Sequence, residues 1–581
     1  MDTHPSATTQ SAPRPPLRLW PGVAFVVLLG IARWALPLVL PDQTGTGILV
    51  SLVCALGILL WWLLFSRAPW SERLGVPVVV AGVVWAVSQF VHPSITNGMM
   101  GLMLSIYSIP FVSLAWIVWA ASRHRFGAMS RWGWCLALML LATVGFTLLR
   151  TDGLTSAAGS ELHWRWTPTA EERLLSSQAA PASASPAAGL TTGIPRGPES
   201  PIWPGFRGPR RDGVVRGVRL ETNWTASPPV ELWRQPVGPG WSSFAVSGDR
   251  FYTQEQRGEH EMVSCYQITN GAPVWQHQDP ARFWESNAGA GPRGTPTLHD
   301  GRVYTFGGTG ILNALDARTG ARLWSRDVTV EAKKKAPDWG FSSSPWVGDD
   351  AVVVAATGTL VAYDRATGVP RWTGPADGQS YSSPQEVEIN GVKQLLLMSG
   401  VGLTSVSPRD GKVLWQHAWP GVAIVQPASV APGELLLSTG DRTGSRRIDV
   451  TREGEAWKTT ERWTSNRLKA YFNDFVLHEG HAYGFDGGML TCLELKDGSR
   501  RWKDGRYGGG QLLLLADQGL LLVLAENGDV ALVPANPEGY AEVARIHALE
   551  GKTWNHPVVA GDVLLVRNDR EMTAYRLPVL R

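Results

Sequence analysis

Nine residues in proline- and glycine-rich stretches of the second half of the chain could together bind a flat or carboxylated ligand. They are aromatic, cationic or amide residues: Trp241, Arg293, Trp339, Tyr381, Asn473, Arg506, Tyr507, Trp554 and Asn555. Aromatic faces bind planar groups and cations, and guanidinium groups pair with carboxylates. Asn473 and the adjacent Asp474 form the one amide–carboxylate pair among these stretches, so they are the candidates for catalysis.

The elements that must position these residues come from a repeated unit. Its clearest copy is Asp316-Ala317-Arg318-Thr319-Gly320-Ala321-Arg322-Leu323-Trp324, which reads as strand, tight turn and strand. The same spacing from glycine to tryptophan recurs at Gly271 and Trp275, Gly368 and Trp372, Gly411 and Trp415, and Gly498 and Trp502. Successive tryptophans from 275 to 415 are 49, 48 and 43 residues apart, which is the length of a four-stranded propeller blade.

Weaker copies complete a ring of eight blades. The 87 residues between Trp415 and Trp502 hold two blades, with a worn copy around 448–463, and another worn copy follows at 530–539. The half copy at 572–575 ends the chain without its last strand, and 231–235 resembles that missing strand. Pairing the two leaves no open sheet edge. The sequence therefore predicts an all-β, eight-bladed propeller.

In such a ring the nine candidate residues lie where the chain enters the innermost strand of each blade. They would line a funnel around the axis, suited to a planar or carboxylated ligand. The alternative, that they only fill a narrow axial hole, stays open. Cys265 and Cys492 occupy the interior strand position that Ala314 holds in its own copy, so we expect no bond between them.

The first part of the chain has the pattern of a membrane section. After a polar, disordered tail at 1–18, five apolar spans lie at roughly 19–40, 46–66, 76–92, 101–121 and 132–149. An Ala/Ser/Pro-rich stretch at 151–200 predicts a flexible linker, and the propeller takes 201–581. The domains are therefore a tail, a membrane section at 19–150, a linker and a propeller.

Loop charges predict the orientation of these spans. Arginines precede span one and lie between spans two and three and between spans four and five, at Arg14, Arg18, Arg67, Arg73, Arg123, Arg125 and Arg131. The alternate loops, 41–45 and 93–100, contain no Lys or Arg. The positive-inside rule places the N-terminus in the cytoplasm and, after five crossings, the propeller outside the cytoplasmic membrane.

Several classes of function are disfavoured by the residues. The formal net charge is only +3, and no basic stripe with interleaved aromatics predicts a nucleic-acid partner. The sequence shows no Ser-His-Asp set, metal-ligand cluster, Walker loop or dinucleotide fingerprint in a suitable context, so no metal site is predicted. The lipid bilayer and an envelope protein, peptide or polymer remain as the expected partners.

The Asp-x-x-Thr-Gly-x-x-x-Trp units resemble the repeats of the pyrroloquinoline-quinone (PQQ) propeller superfamily over about 200–581. The segments Trp203-Pro204-Gly205-Phe206-Arg207-Gly208-Pro209, Gly291–Thr297 and Gly551–Pro557 are similar to parts of uncharacterised bacterial PQQ-like propeller proteins. One branch of the superfamily, the quinoprotein dehydrogenases, oxidises alcohols or sugars with PQQ and Ca²⁺ or Mg²⁺. Membrane-bound glucose dehydrogenases among them share the plan of five spans before an external propeller. The other branch resembles BamB, which binds protein partners without a cofactor.

The chain departs from the enzymes of that superfamily. Its propeller is near the minimal size for eight blades, and it has neither an adjacent cysteine pair nor a recognisable Glu/Asn/Asp metal set. The resemblance therefore implies a cofactor-free, membrane-anchored binding or scaffold protein in a bacterial envelope, with its propeller in the periplasm. The alternative is a PQQ-dependent alcohol or sugar dehydrogenase that holds PQQ with Ca²⁺ or Mg²⁺ and passes electrons to membrane quinone.

Overall fold

The computed structural model of the chain describes residues 17–40, 44–178, 202–440 and 443–580. It contains two compact units, Met1–Thr167 and Pro168–Arg581. The predicted N-terminal tail lies outside the described residues except for its last two positions.

Five helices of the first unit are long and apolar enough to cross a membrane: Trp20–Val39, Gly45–Leu64, Trp70–Ser88, Met103–Arg125 and Met129–Leu148. The first contains a π-helical turn at Ile31–Ala35. The third begins six residues before its predicted start at 76, because Glu72 and Arg73 continue the helix. Arg73 donates to the carbonyls of Leu63 and Ala68 at 2.9 and 2.8 Å, and these bonds hold its charge at the helix start.

A buried ion-pair cluster joins three of these helices at one end. The Glu72 side chain is only 4% exposed and pairs with Arg123 and with Arg131, the latter at 2.6 Å. A buried carboxylate needs such compensation because its desolvation is costly. The arginines that predicted the cytoplasmic side therefore also fix the ends of helices three, four and five.

Ordered elements occupy part of the range predicted as a linker. Leu149–Thr151 pairs antiparallel with Leu162–Trp164 in the first unit. The helix Ala170–Gln178 belongs to the second unit, where Glu171 binds Arg282 at 2.8 Å and accepts from the Gly258 backbone N–H at 2.8 Å. Residues 179–201, which hold the Ala/Ser/Pro-rich run, lie outside the described residues.

The second unit is an eight-bladed propeller, as predicted. Each blade is an antiparallel sheet of four strands, numbered from the innermost strand outwards. Blades 1 to 4 are Ala245–Ser247, Arg250–Arg257, His260–Gln267 and Pro273–Asp279; Thr297–His299, Arg302–Phe306, Ile311–Asp316 and Arg322–Asp327; Trp346–Val347, Ala351–Ala356, Thr359–Asp364 and Pro370–Ala376; Gln385–Ile389, Val392–Ser399, Gly402–Val406 and Val413–Ala418.

The remaining blades close the ring. Blades 5 to 8 are Ala428–Ala431, Glu434–Thr439, Gly444–Glu453 and Ala456–Ser465; Val476–His478, His481–Asp486, Met489–Glu494 and Arg500–Arg506; Gln511–Leu515, Leu520–Leu524, Asp529–Pro534 and Ala544–His547; Val558–Ala560, Val563–Arg567, Glu571–Arg576 and Val230–Pro236. The last strand of blade 8 comes from the beginning of the propeller and pairs antiparallel with Glu571–Arg576. The predicted closure by 231–235 is confirmed.

The repeated glycine and tryptophan pack together across neighbouring blades. A Cβ at Gly320 would lie 2.5 Å from the Trp275 ring, and one at Gly368 would lie 2.6 Å from the Trp324 ring. Each of these glycines thus accommodates the tryptophan of the preceding blade. The tryptophan indoles also donate to backbone carbonyls of the next blade, as Trp275 does to Ala317 at 3.0 Å. The repeat is therefore an interblade contact as well as a turn.

The strand order defines the two faces of the propeller. Each chain segment that approaches an innermost strand lies on one face, which we call the mouth, and the glycine-bearing turns lie on the opposite face, the turn face. Because the nine candidate residues sit in or beside these approach segments, the fold gathers most of them around the mouth.

The central channel is crossed on its turn-face side by residues 203–215. This channel segment pairs Trp203 with Val246 of blade 1, and the Leu298 N–H of blade 2 donates to Pro204. Arg211 donates to the carbonyl of Pro345 at 2.9 Å, and Val214–Val215 pairs in parallel with Gln511–Leu515. Cavities of about 430 and 500 Å³ flank the segment. The motif that starts at Trp203 is thus an axial filler.

Candidate functional site: an aromatic floor across the propeller mouth

Six aromatic rings form a continuous row at the mouth, which we call the aromatic floor. Neighbouring ring centroids lie 4.9 to 6.3 Å apart, in the range of favourable aromatic contacts. In order along the row the rings are Trp241, Trp554, Phe472, Tyr471, Trp339 and Tyr381. All six are half-buried, so their faces are partly open to solvent.

The row crosses the channel because its members come from distant blades. Trp339 approaches blade 3 and Tyr471 approaches blade 6, yet their ring centroids are 6.3 Å apart. Trp554 of the blade 8 approach meets Trp241 of the blade 1 approach at 5.0 Å. The predicted funnel is therefore closed by a shared aromatic surface and is not an open lining.

Charged groups lie at the end of the floor beside Trp554. The Lys552 ammonium lies over the Trp554 and Trp241 rings, at 4.5 and 5.2 Å from their centroids. Burial lowers the pKa of Lys552 below its usual value, although nearby carboxylates oppose the shift. Glu526 accepts from the Trp554 indole N–H at 2.7 Å and from the Gly509 N–H at 3.0 Å. These contacts fix the orientation of the Trp554 ring.

Arg293 is held inside the protein at the mouth rather than presented to a ligand. Its guanidinium lies 4.7 Å from the Phe283 ring centroid, pairs with Glu285 at 3.3 Å and donates to the Gly289 carbonyl at 3.0 Å. Its Nε donates to the Trp339 carbonyl at 3.1 Å, and the side chain is only 8% exposed. Arg293 thus connects residues 280–291 to the backbone below the floor.

The two candidate asparagines lie buried beneath the floor. Asn555 donates to the carbonyls of Gly240 and Ser242 at 3.1 and 2.7 Å, and Asn473 donates to the Gly510 carbonyl. Gln511 also donates, to the Trp554 carbonyl at 3.0 Å. These amides connect the approach segments of different blades, so they support the floor from below.

Asp474 lies deeper and contacts the channel segment. Its carboxylate pairs with Arg207 at 3.3 Å and accepts from the Gln426 N–H at 2.8 Å, and His556 Nε2 lies 3.8 Å away. Burial raises the pKa of Asp474, against the lowering effect of Arg207. Burial and the Arg207 charge lower the pKa of His556 to about 3, so its imidazole is neutral at physiological pH. The structure thus places this candidate catalytic carboxylate in an axial ion pair.

The remaining two candidates do not join the floor. Arg506 is exposed at the end of the outer strand of blade 6. Tyr507 is buried between blades 6 and 7, where its hydroxyl contacts Glu542 at 2.7 Å and Tyr540 at 2.9 Å. The Arg545 guanidinium lies 5.5 Å from the Tyr507 ring centroid. Tyr507 therefore belongs to an interblade network facing away from the mouth.

Four residues of the floor and its border were missed by sequence reasoning: Tyr471, Phe472, Glu526 and Lys552. Tyr471 and Phe472 directly precede Asn473 in an approach segment that had been singled out, and Lys552 lies two residues before Trp554. Their position in approach segments was the available signal. Glu526 lies in the turn between two strands of blade 7, and no sequence pattern marked it.

The donor groups at the mouth do not fit PQQ with a divalent metal. Within the described residues, no group of three or more His, Cys, Asp and Glu side chains is arranged to hold a metal. The amide–carboxylate pair at 473 and 474 already contacts a backbone carbonyl and Arg207. Arg293 is already bound to Glu285 and to backbone carbonyls. The mouth therefore offers aromatic faces, with its polar groups engaged internally.

Comparison with known proteins supports the type of propeller. A PQQ-repeat family model described as "Outer membrane protein assembly factor BamB" matches residues 259–504. The propeller is of the PQQ-like type. BamB from Xanthomonas campestris is 24% identical over 355 residues, which cover 51% of this chain and 86% of that protein.

Solved PQQ-like propellers also match this PQQ-like chain. BamB from Moraxella catarrhalis aligns with a TM-score of 0.43 and 16% identity, over 60% of this chain and 98% of the other. A quinohemoprotein alcohol dehydrogenase from Pseudomonas putida HK5 aligns with a TM-score of 0.48 and 13% identity, over 65% and 80%.

Proposed function

We propose that this chain is a membrane-anchored, extracytoplasmic PQQ-like propeller that binds an envelope protein through its aromatic floor. The observation that carries the proposal is the row of six contacting rings across the channel. Half-exposed aromatic side chains are favoured at protein interfaces because they bury large areas with little loss of conformational entropy. The amides and Arg293 below the floor are bonded internally, so the surface is rigid before a partner arrives.

The comparisons support a scaffold or binding role in the envelope, and the BamB relatives are named as assembly factors for outer membrane proteins. Five candidate spans and the arginine pattern of their loops support an anchor in the cytoplasmic membrane with the propeller outside. The partner class that follows is a protein segment, presented in the periplasm, with aromatic or apolar side chains that pack against the floor.

Mutation of the floor tests this proposal in the full-length protein. Trp339→Ala combined with Tyr381→Ala removes two neighbouring rings at one end of the row. We expect the wild type, crosslinked in cells and extracted in mild detergent, to elute as a complex larger than the chain alone. The double variant should lose at least ten-fold of that complex, since truncation of a central aromatic typically costs about 2 kcal/mol or more.

A matched control separates this effect from general damage. Trp457, in the outermost strand of blade 5, is a half-buried tryptophan far from the mouth, so Trp457→Ala should leave the complex intact. A complex that persists in the double variant contradicts the proposal. A complex that is released by a glycan hydrolase but not by a protease would replace the protein partner with an envelope polymer.

The dehydrogenase alternative makes a different prediction. A PQQ enzyme should melt at a higher temperature when PQQ is added at constant Ca²⁺, because a ligand at 100 times its Kd adds about 2.7 kcal/mol of apparent stability. The engaged state of Asn473, Asp474 and Arg293 predicts no such increase here. A clear PQQ-dependent rise would restore the enzyme hypothesis.

A further inference from the structure

Blade 1 departs from the repeat at two positions, and each departure introduces a carboxylate. Glu261 lies four residues before Cys265, where the residues four before Ala314, Ala362 and Cys492 are Gly310, Gly358 and Gly488. Asp279 lies four residues after Trp275, where the residues four after Trp324 and Trp372 are Val328 and Ala376. Both carboxylates are therefore particular to blade 1 and are not part of the repeated turn.

These two carboxylates face each other inside the protein. Glu261 and Asp279 are direct partners in the antiparallel register of neighbouring strands, and they are only 4% and 6% exposed. Like charges at directly opposed strand positions destabilise a sheet. Burial, increased by the Asp279 charge, raises the pKa of Glu261 to about 7. Two anions held this way require a proton or a cation between them.

The contacts of the pair leave its charge uncompensated. Glu261 accepts from the Thr309 N–H and hydroxyl at 3.3 and 3.1 Å, and Asp279 accepts from the Asn313 amide at 2.6 Å. His277 Nε2 lies 3.4 Å from Asp279. In the described part of the chain no Lys or Arg forms a salt bridge with either carboxylate, and Arg293 pairs instead with Glu285.

Blade 2 presents two oxygen atoms from the opposite side. Thr305 and Asn313 are strand partners on the face that turns towards blade 1, as shown by Val303 and Leu315, which pack against Cys265. Each is only 1% exposed. The Thr305 hydroxyl and the Asn313 side-chain oxygen are buried without a hydrogen-bond partner among the described residues. Buried polar atoms without partners are rare and point to a bound water or ion.

We propose that Glu261, Asp279, Asn313 and Thr305 form a binding site for a divalent cation of the calcium class between blades 1 and 2. Carboxylate, amide and hydroxyl oxygens are the ligands that Ca²⁺ prefers, and Ca²⁺ tolerates irregular geometry. The site draws on two carboxylates and neutral oxygens, so it differs from clusters of three or more acidic, His or Cys side chains. It lies between two blades and away from the aromatic floor.

The cation site borders the segment that supports the floor. Asp279 directly precedes residues 280–291, and the Trp241 indole N–H donates to the Ala288 carbonyl at 2.9 Å. Glu285 of the same segment pairs with Arg293. A cation bound at Asp279 therefore stabilises the start of this segment, whether or not the floor binds the proposed partner.

Thermal melting of the chelator-treated, full-length protein tests the site. Addition of Ca²⁺ to 100 times its Kd should raise the melting temperature of the wild-type propeller by roughly 3 °C. Asp279→Asn should keep or raise the melting temperature without Ca²⁺, because it removes the repulsion, and should abolish the Ca²⁺-dependent rise. The exposed control Glu538→Gln should retain the full rise.

Direct binding keeps the test decisive if Asp279→Asn folds poorly. Equilibrium dialysis with radioactive Ca²⁺ should show one more bound ion for the wild type than for Asn313→Ala, which keeps both carboxylates. The proposal is overturned if Ca²⁺ gives no rise in the wild type, or if the rise and the bound ion persist in both site variants. A gain of stability at lower pH with no Ca²⁺ effect would assign the pair to a shared proton and would also overturn it.

Discussion

Asp474 illustrates how a residue with catalytic appearance is used for structure. It is buried below the aromatic floor, where Arg207 of the channel segment lies 3.3 Å from its carboxylate. Sequence could identify Asn473 and Asp474 as unusual residues in an approach segment. It could not show that Arg207, 267 positions earlier in the chain, pairs with Asp474, because no periodic pattern connects the two.

Arg207→Ala should strongly destabilise the propeller. The change leaves Asp474 buried without its nearest cation and removes the hydrogen bond to the Phe475 carbonyl at 2.6 Å, and breaking a buried pair costs about 3–5 kcal/mol. Chemical denaturation of the full-length protein in detergent measures the loss. Arg210→Ala, at an exposed position of the same segment, is the control. Equal stability of the two variants would show that the ion pair is unimportant.

His556 should make the propeller less stable in acid. Its folded-state pKa of about 3 lies below the unfolded value of about 6.5, so between these values the unfolded state binds the extra proton. This contribution to stability is full above pH 6.5 and is lost as the pH falls, by up to about 1.4 kcal/mol per pH unit. His556→Gln should flatten the acid side of the stability profile, as followed by melting temperature.

His547 provides a control of opposite sign. Its hydrogen bond to Asp529, at 2.8 Å, raises the pKa of this half-exposed imidazole. Its contribution is therefore present at low pH and is lost as the pH rises through the raised pKa. His547→Gln should not flatten the acid side. Identical acid profiles for the wild type and His556→Gln would contradict the assignment of a buried neutral imidazole.

At the scale of elements, the blades were predictable because their signals are local and repeated. Five glycine–tryptophan pairs at fixed spacing set the blade length, and the isolated strand at 231–235 indicated the closure that Val230–Pro236 makes. The helix Ala170–Gln178 was missed because its short polar sequence precedes an Ala/Ser/Pro-rich run, and its position depends on the distant Arg282. The contact of Trp339 with Tyr471 across the channel likewise has no local signal.

The packing of each repeat glycine against a tryptophan predicts an unusual cost for alanine. Gly320 has a φ of +75°, and a Cβ there would lie 2.5 Å from the Trp275 ring. Gly320→Ala should therefore lose about 1–2 kcal/mol for the left-handed backbone and about 1–3 kcal/mol for the overlap. Denaturant midpoints measure both.

Gly480 isolates the backbone part of this cost. Its φ is +79°, and nothing lies within 4 Å of its Cβ position. Gly480→Ala should show only the smaller, left-handed term. If Gly320→Ala and Gly480→Ala lose the same stability, the tryptophan contact does not explain the glycine of the repeat.

At the scale of the whole molecule, five apolar helices and a PQQ-like propeller are combined in one chain. The arginine distribution that predicts the cytoplasmic side is reinforced by Glu72, which binds Arg123 and Arg131 at one end of the helices. The propeller presents two different faces: polar, repeated turns on one and the aromatic floor on the other. A protein that binds a partner through the mouth should show this asymmetry in cells.

Photo-crosslinking from defined positions measures that asymmetry most directly. A photoreactive amino acid replaces Trp339 or Tyr381 in the floor, or Arg318 in an exposed turn of the opposite face, in the full-length protein in living cells. The account predicts discrete protein adducts from the two floor positions and none from Arg318. Adducts only from Arg318, or none from either floor position while the protein is folded and abundant, would contradict the aromatic floor as the binding surface.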